Sequence, residues 1–307
     1  MTVRAVVTDG SGQAVVRDVA DPDVRPGEAL VEVEATSLNR GELNRIRSAP
    51  AGWRPGWDFA GRVVRSSPEG PGEGARVVGI LEGRAWAERV AVPATWLAEL
   101  PPGLPPAQAA ALPTAGLTAL RMLRLGVGAL GRRVAITGAA GGVGRFAVQL
   151  ARLAGAHVTA IVGSSSRAEG LLELGADEVV TGFREAAGPY DLVLESAGGE
   201  SLAHLATRLD AYGTLISFGN SSNQPTTLQD VRAFYLGGSR RIQAFTLFHG
   251  FPADPPNRDL RYLAGLVAGG SLDPQVEVEM PWTDMGAALS RLEDRSVRGK
   301  LVLTLGT

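Results

Sequence analysis

The chain contains no cysteine. That absence excludes disulfides, thiolate zinc sites, iron–sulfur clusters and cysteine nucleophiles together. Histidine is nearly as scarce: His157, His204 and His249 are the three, and no two stand at the spacing that shares one helix face. Lysine occurs once, as Lys300, so arginine carries almost all the positive charge and a Schiff-base mechanism would rest on a single residue. No apolar stretch is long enough to span a bilayer. The opening MTVRAVVTDGSGQ lacks the charged start, apolar run and small-residue cleavage site of an export signal. A cytoplasmic location without membrane partners is therefore expected. A formal net charge of −2 gives no steering toward nucleic acid or anionic lipid.

What is present reads as a soluble globular protein. Hydrophobic residues make up 45% and charged residues 20% of 307 positions, enough to bury two cores. From Val3 to about Leu100, short β runs at 29–35, 59–64, 76–80 and 85–92 alternate with Gly and Pro, which predicts an all-β unit. Pro101, Pro102, Pro105 and Pro106 then precede an alanine-rich helical stretch at 107–125. From Arg132 the rhythm becomes strand, helix, strand, helix. Strands are expected at 134–137, 158–162, 192–194 and 215–218, with helices near 143–153, 167–174 and 201–209. That alternation predicts a doubly wound parallel sheet, hence an α/β fold. A helix at 259–268 and β runs at 276–280 and 300–305 close the chain. The expected domains are 1–112, 113–247 and a return at 248–307 to the first.

Thr137 to Gly144 reads T-G-A-A-G-G-V-G between the expected strand and helix. Gly138, Gly141 and Gly144 are spaced by three. One can permit the tight turn, one the close approach of a pyrophosphate, and one close packing of helix on strand. Backbone N–H groups of the first helical turn, at Ala140, Gly141, Gly142, Val143 and Gly144, would then face the phosphates, assisted by the helix dipole. A dinucleotide is the expected ligand. Its type is decided at the end of the second strand, where an NAD site places an acid on the ribose hydroxyls. Here stand Gly163, Ser164, Ser165, Ser166 and Arg167, hydroxyls and a cation suited to a ribose phosphate, so NADPH is the expected cofactor. The serines also suit the N-cap of the helix expected at Arg167.

Five segments in this order and spacing resemble the medium-chain dehydrogenases and reductases, in particular their zinc-free quinone oxidoreductase and enoyl reductase branch. They are L-N-R at 38–40, P-G-W-D-F-A-G at 55–61, A-L-P-T-A-G-L-T-A at 111–119, A-A-G-G-V-G, and G-K-L-V-L at 299–303. The resemblance implies a Rossmann domain plus a mainly β, GroES-like substrate domain. Short-chain reductases share the glycine fingerprint but place it near the chain start and follow it with Tyr and, four residues on, Lys; no tyrosine here has such a lysine. Zinc-dependent relatives carry a cysteine near Asn39, a histidine within the stretch that is Gly56, Trp57 and Asp58 here, and a further ligand near Ala111. All are missing, so no metal is expected.

The resemblance implies hydride transfer from NADPH to a quinone, enone or enal. It places Asn39, Thr114, Gly219, Asn220, Phe245, Thr246, Leu247 and Lys300 near the nicotinamide and its ribose. Asn39 also suits a turn cap and Lys300 a surface charge. Asp58 can be read as a general acid, but a structural ion pair with Arg40 or Arg62 is its expected role. Trp53 and Trp57, with Phe245 and Phe248, are candidates for an apolar substrate pocket or for the core. Many relatives carry a tyrosine after L-N-R; none lies between Arg40 and Trp57, and the indole of Trp53 cannot serve as its acid. The catalytic proton donor is thus unassigned. A cofactor-binding protein without reductase activity and a non-redox biosynthetic enzyme remain open. The resemblance also implies a homodimer joined through sheet edges, with 241–247 as the edge.

Overall fold

Alternation of buried and exposed side chains shapes the amino-terminal strands, as the period-two geometry of a half-buried sheet requires. The computed structural model describes residues 2–126, 128–228 and 231–306. The chain divides into two units, Met1–Leu117 with Phe248–Thr307, and Thr118–Leu247.

The first unit starts with the hairpin β1 (Thr2–Thr8) and β2 (Ala14–Ala20). It continues through β3 (Glu28–Ser37), α1 (Arg40–Ser48), β4 (Asp58–Arg65), β5 (Arg76–Ile80), β6 (Arg89–Pro93) and β7 (Leu97–Glu99) to the helices α2 (Pro106–Ala110) and α3 (Pro113–Leu125). Helix α1 was not foreseen in a unit expected to be all β. The single helix expected at 107–125 is broken, because Pro113 has no N–H to continue α2 and instead opens α3. The division falls at 117/118 rather than 112/113, since the first turn of α3 is bonded into the first unit: Thr114 N–H donates to Asp58 at 2.9 Å.

The second unit runs β8 (Arg133–Thr137), α4 (Gly142–Leu153), β9 (His157–Val162), β10 (Glu178–Thr181), β11 (Tyr190–Glu195), α5 (Gly199–Thr207), β12 (Leu209–Ser217), α6 (Val231–Leu236) and β13 (Arg241–Ala244). All six strands are parallel, in the order β10-β9-β8-β11-β12-β13. This is the doubly wound Rossmann order, whose direction reverses between β8 and β11. The helix expected at 167–174 does not form. A short 3₁₀ turn at Ser165–Arg167 gives way to further turns, and Gly170 and Gly175 adopt φ of +78° and +106°, outside the helical region.

The chain returns to the first unit through α7 (Asn257–Ala268), β14 (Val276–Pro281), α8 (Met285–Glu293) and β15 (Lys300–Thr304). There the sheet order is β14-β15-β3-β4-β5-β7, with β6 on β3. Phe59 and Trp86 lie fully inside its core. Helix α8 had no counterpart in the expected elements. Among the described residues, no helix is long and apolar enough to cross a membrane.

Candidate functional site

Two polar sites stand out, one in each unit. In the first, β3 ends beside the start of β4, with Ser37 opposite Asp58 in the antiparallel register. The Asp58 side chain is fully buried and almost every lone pair is answered. Its Oδ1 accepts from Thr114 N–H at 2.9 Å and Thr114 Oγ1–H at 2.5 Å. Its Oδ2 accepts from Ser37 Oγ–H at 2.7 Å and Asn39 Nδ2–H at 2.8 Å. The ion pair is made with Lys300, Nζ to Oδ2 3.5 Å, and not with Arg40 or Arg62 as expected. Arg62 sits on an exposed stretch of β4 and reaches Glu34, while Arg40 reaches the Leu292 carbonyl.

Lys300, expected near cofactor or at the surface, is only 2% exposed. Its ammonium donates to Asn39 Oδ1 at 2.8 Å and the Leu38 carbonyl at 3.3 Å. The Asn39 carboxamide is thereby held at both ends, its oxygen on Lys300 and its nitrogen on Asp58. Asn39 also stands just before α1, and Glu42, three residues on, accepts its N–H at 2.7 Å, half of a capping box. Glu42 is fully buried, and its Oε1 meets no partner among the described residues. Burial first, then the charge of Asp58, pushes the Glu42 carboxyl well above its ordinary range. Burial likewise pulls Lys300 down, against the opposing pull of Asp58 and Glu42. Glu42 and Ser37 were missed at the level of sequence, although the N-x-x-E spacing of Asn39 and Glu42 carried a capping signal.

Trp53 is half-buried against the core and lines an open cavity of about 670 Å³. Trp57 lies inside, its ring edge-on to Phe248 at 5.6 Å and under the Arg45 guanidinium at 5.3 Å.

In the second unit the expected cofactor residues gather at the carboxyl ends of neighbouring parallel strands. Gly138 follows β8 with φ of +61°, the left-handed value a tight turn requires. A Cβ on Gly144 would collide with the Gly138 carbonyl oxygen and Ala139, so only glycine lets α4 start this close to the strand. Gly141 caps α4, and Ala140, Gly142 and Val143 complete the turn. Gly163 follows β9 and faces open space, with Ser164, Ser165 and Arg167 in the turn beyond it and the Ser164 and Ser166 hydroxyls 2.9 Å apart. Gly219 and Asn220 follow β12. Phe245, Thr246 and Leu247 follow β13, with Phe245 N–H on the Ser217 carbonyl at 2.8 Å.

Glu195, at the end of β11, carried no signal in the sequence. Its buried carboxylate accepts from Ala197 and Gly198 N–H, both at 2.9 Å, and from Ser201 Oγ–H at 2.9 Å, so it organises the start of α5. Burial pushes its pKa up. Ser196 N–H donates to Thr137 Oγ1 at 2.7 Å, which ties the loop after β11 to the glycine turn after β8.

Two family models match: "Zinc-binding dehydrogenase" over residues 174–303 and "Alcohol dehydrogenase GroES-like domain" over 25–102. The chain is 29% identical to the chloroplast envelope quinone oxidoreductase homolog of Arabidopsis thaliana over 96% of its own length and 95% of the relative's. It is 35% identical to the acrylyl-CoA reductase AcuI of Ruegeria pomeroyi over 56% of each chain. The quinone oxidoreductase of Thermus thermophilus, whose structure was solved also in complex with NADPH, superposes with a TM-score of 0.82 at 29% identity, covering 98% of this chain and 100% of that one. The chain belongs to the medium-chain dehydrogenase/reductase superfamily, in its quinone oxidoreductase branch. It is an oxidoreductase enzyme.

The buried acid of the first site sets a pH test. Glu42 titrates near 4.5 when unfolded and higher when folded. Its stabilising contribution is therefore complete below the unfolded value and is lost as pH rises through the folded one. The melting temperature of the wild type relative to E42Q should be most favourable at about pH 4 and decline toward about pH 8. Thermal melts across that range check it; a difference independent of pH would contradict a raised Glu42.

Proposed function

We propose that this protein is an NADPH-dependent oxidoreductase that reduces a quinone or an activated C=C bond, as in an enone or enal, without zinc. One observation carries the choice of cofactor: the turn after β9 offers Gly163, Ser164, Ser165, Ser166 and Arg167 and no carboxylate where a ribose with free hydroxyls would be gripped. The residues present fit a dinucleotide. The positive φ of Gly138 permits the tight turn, and glycine at 144, where a Cβ would strike the backbone of 138 and 139, lets α4 begin against that turn with the amides of its first turn at the carboxyl end of β8. The backbone N–H groups of 140–144 would hold the pyrophosphate, and Ser164, Ser165 and Arg167 the additional phosphate. When bound, NADPH supplies the hydride.

For the nicotinamide end the proposal keeps Gly219, Asn220, Phe245, Thr246 and Leu247 in the second unit, and Asn39 and Thr114 in the first. Lys300 and Asp58 preset the two ends of the Asn39 amide, and Asp58 presets the Thr114 hydroxyl. Groups fixed in this way need no reordering when a ligand arrives. The same donor set does not fit zinc. Glu42 and Asp58 are the carboxylates of this cluster, the Lys300 ammonium already bonds Asp58 and Asn39, and among the described residues no thiolate or imidazole joins them. The relatives' names, a quinone oxidoreductase and an acrylyl-CoA reductase, support reduction of a quinone or a conjugated C=C bond.

The edge strand β13 supports a homodimer. All four of its residues are exposed, and among the described residues it is paired on one side only.

Purified protein should consume NADPH when given a small quinone or a short alkenal, followed by loss of nicotinamide absorbance. NADPH binding without turnover across a panel of both would favour a cofactor-binding protein, and no binding would overturn the reading. R167A should raise the KM for NADPH about tenfold, as loss of a charge-assisted hydrogen bond does, and leave that for NADH nearly unchanged. Equal effects on both coenzymes would remove Arg167 from the phosphate pocket. Sedimentation should give twice the 32.0 kDa chain mass; a monomer would refute the pairing.

A further inference from the structure

Segment 54–57 leads into β4 beside residues 81–86. Leu81 N–H donates to the Trp57 carbonyl at 2.8 Å, Ala85 to Gly56 at 3.1 Å and Arg84 to Arg54 at 3.0 Å. This pairing brings two arginines to the wall of the 670 Å³ cavity, and both also line a second cavity of about 290 Å³. Other arginines of the unit do have carboxylates: Arg4 has Glu88 at 2.6 Å and Arg89 has Asp21 at 3.0 Å. Among the described residues neither Arg54 nor Arg84 has one. Arg54 is half-buried, and its Nε is enclosed without an acceptor. Glu82, the carboxylate on the rim of the larger cavity, pairs with neither guanidinium. Burial and the neighbouring charge of Arg84 both disfavour the charged form of Arg54.

Two like charges at one cavity, one of them half-buried with its Nε enclosed and left without an acceptor, destabilise the free protein, and an anion relieves both defects. Guanidinium forks match phosphate oxygens in pairs. Trp53 and Trp96 on the same walls offer apolar surface for the organic group that carries the phosphate. The cavity is of the size that takes a small ligand.

We propose that Arg54 and Arg84 form a phosphate-binding site in the first unit, separate from the glycine turn of the second. The phosphate could come from the tail of a substrate or from free phosphate, and the two sources are separable. The test titrates the whole chain with sodium pyrophosphate at low salt, read by calorimetry and tryptophan fluorescence, for wild type, R54M, R84M and R54M/R84M. Saturable binding in the wild type is expected, with a component beyond that of the glycine turn that is weakened about tenfold by either substitution and lost in the double variant, and with R54K intermediate because it keeps the charge and loses the fork. No binding in the wild type, or binding unchanged in R54M/R84M with a native melting temperature, overturns the site. Coenzyme A and pantetheine, which lacks the nucleotide phosphates, identify the source. Coenzyme A bound more tightly than pyrophosphate, with that gain lost in R54M/R84M and absent for pantetheine, assigns the phosphate to a substrate tail. Equal affinities of coenzyme A and pyrophosphate assign it to free phosphate. Neither readout requires NADPH turnover, so failure here leaves the reductase reading standing, and the reverse also holds.

Discussion

The Asp58 carboxylate is the constraint around which the first unit is organised. A buried carboxylate is tolerated only when its charge is answered and its lone pairs are filled. Here the answers come from Ser37 at the end of β3, Asn39 before α1, Thr114 in the first turn of α3 and Lys300 at the start of β15. These residues lie far apart in the chain, so the same bonds that satisfy the charge fix where four elements end or begin. Removing one partner of such a buried pair would cost about 3–5 kcal/mol, because the remaining charge stays buried.

The proposed nicotinamide contacts build on that arrangement. The Asn39 carboxamide and Thr114 hydroxyl acquire their directions from Lys300 and Asp58, and neither element would hold them alone. Glu195 works in the same way in the second unit. It satisfies the amides that open α5, while Thr137 joins the loop after β11 to the turn after β8. Both acids are interior groups that shape loops where strands stop, and loops of that kind carry ligand sites on open α/β sheets. The Arg54 and Arg84 pair is the opposite case, charge brought together without its counterpart, and for that reason it points outward to a ligand.

The elements with strong periodicity were legible in the sequence. Strands β3, β4, β5, β8 and β9 and helices α4 and α7 fall within a few residues of their expected places, because burial and local pattern agree there. Elements whose reason is not local were missed. Helix α1 is short and arginine-rich, and its buried positions are Glu42, Leu43 and Ile46, so its apolar face is too narrow to read. The segment 167–174 has helical composition, but Gly170 and Gly175 take it out of the helix.

By itself the sequence determined the absence of thiolate chemistry, the parallel sheet and the glycine turn, since each depends on residue type or on spacing within about 20 positions. It also marked Asn39, Thr114, Asp58 and Lys300 as polar residues of interest. Only the tertiary structure decided that they are one cluster, that Lys300 rather than Arg40 or Arg62 neutralises Asp58, and that Glu42 is enclosed beside them. The physical reason is distance along the chain: Lys300 and Asp58 are 242 residues apart, and a Coulombic pair across such a gap leaves no local pattern, because folding alone brings the charges together.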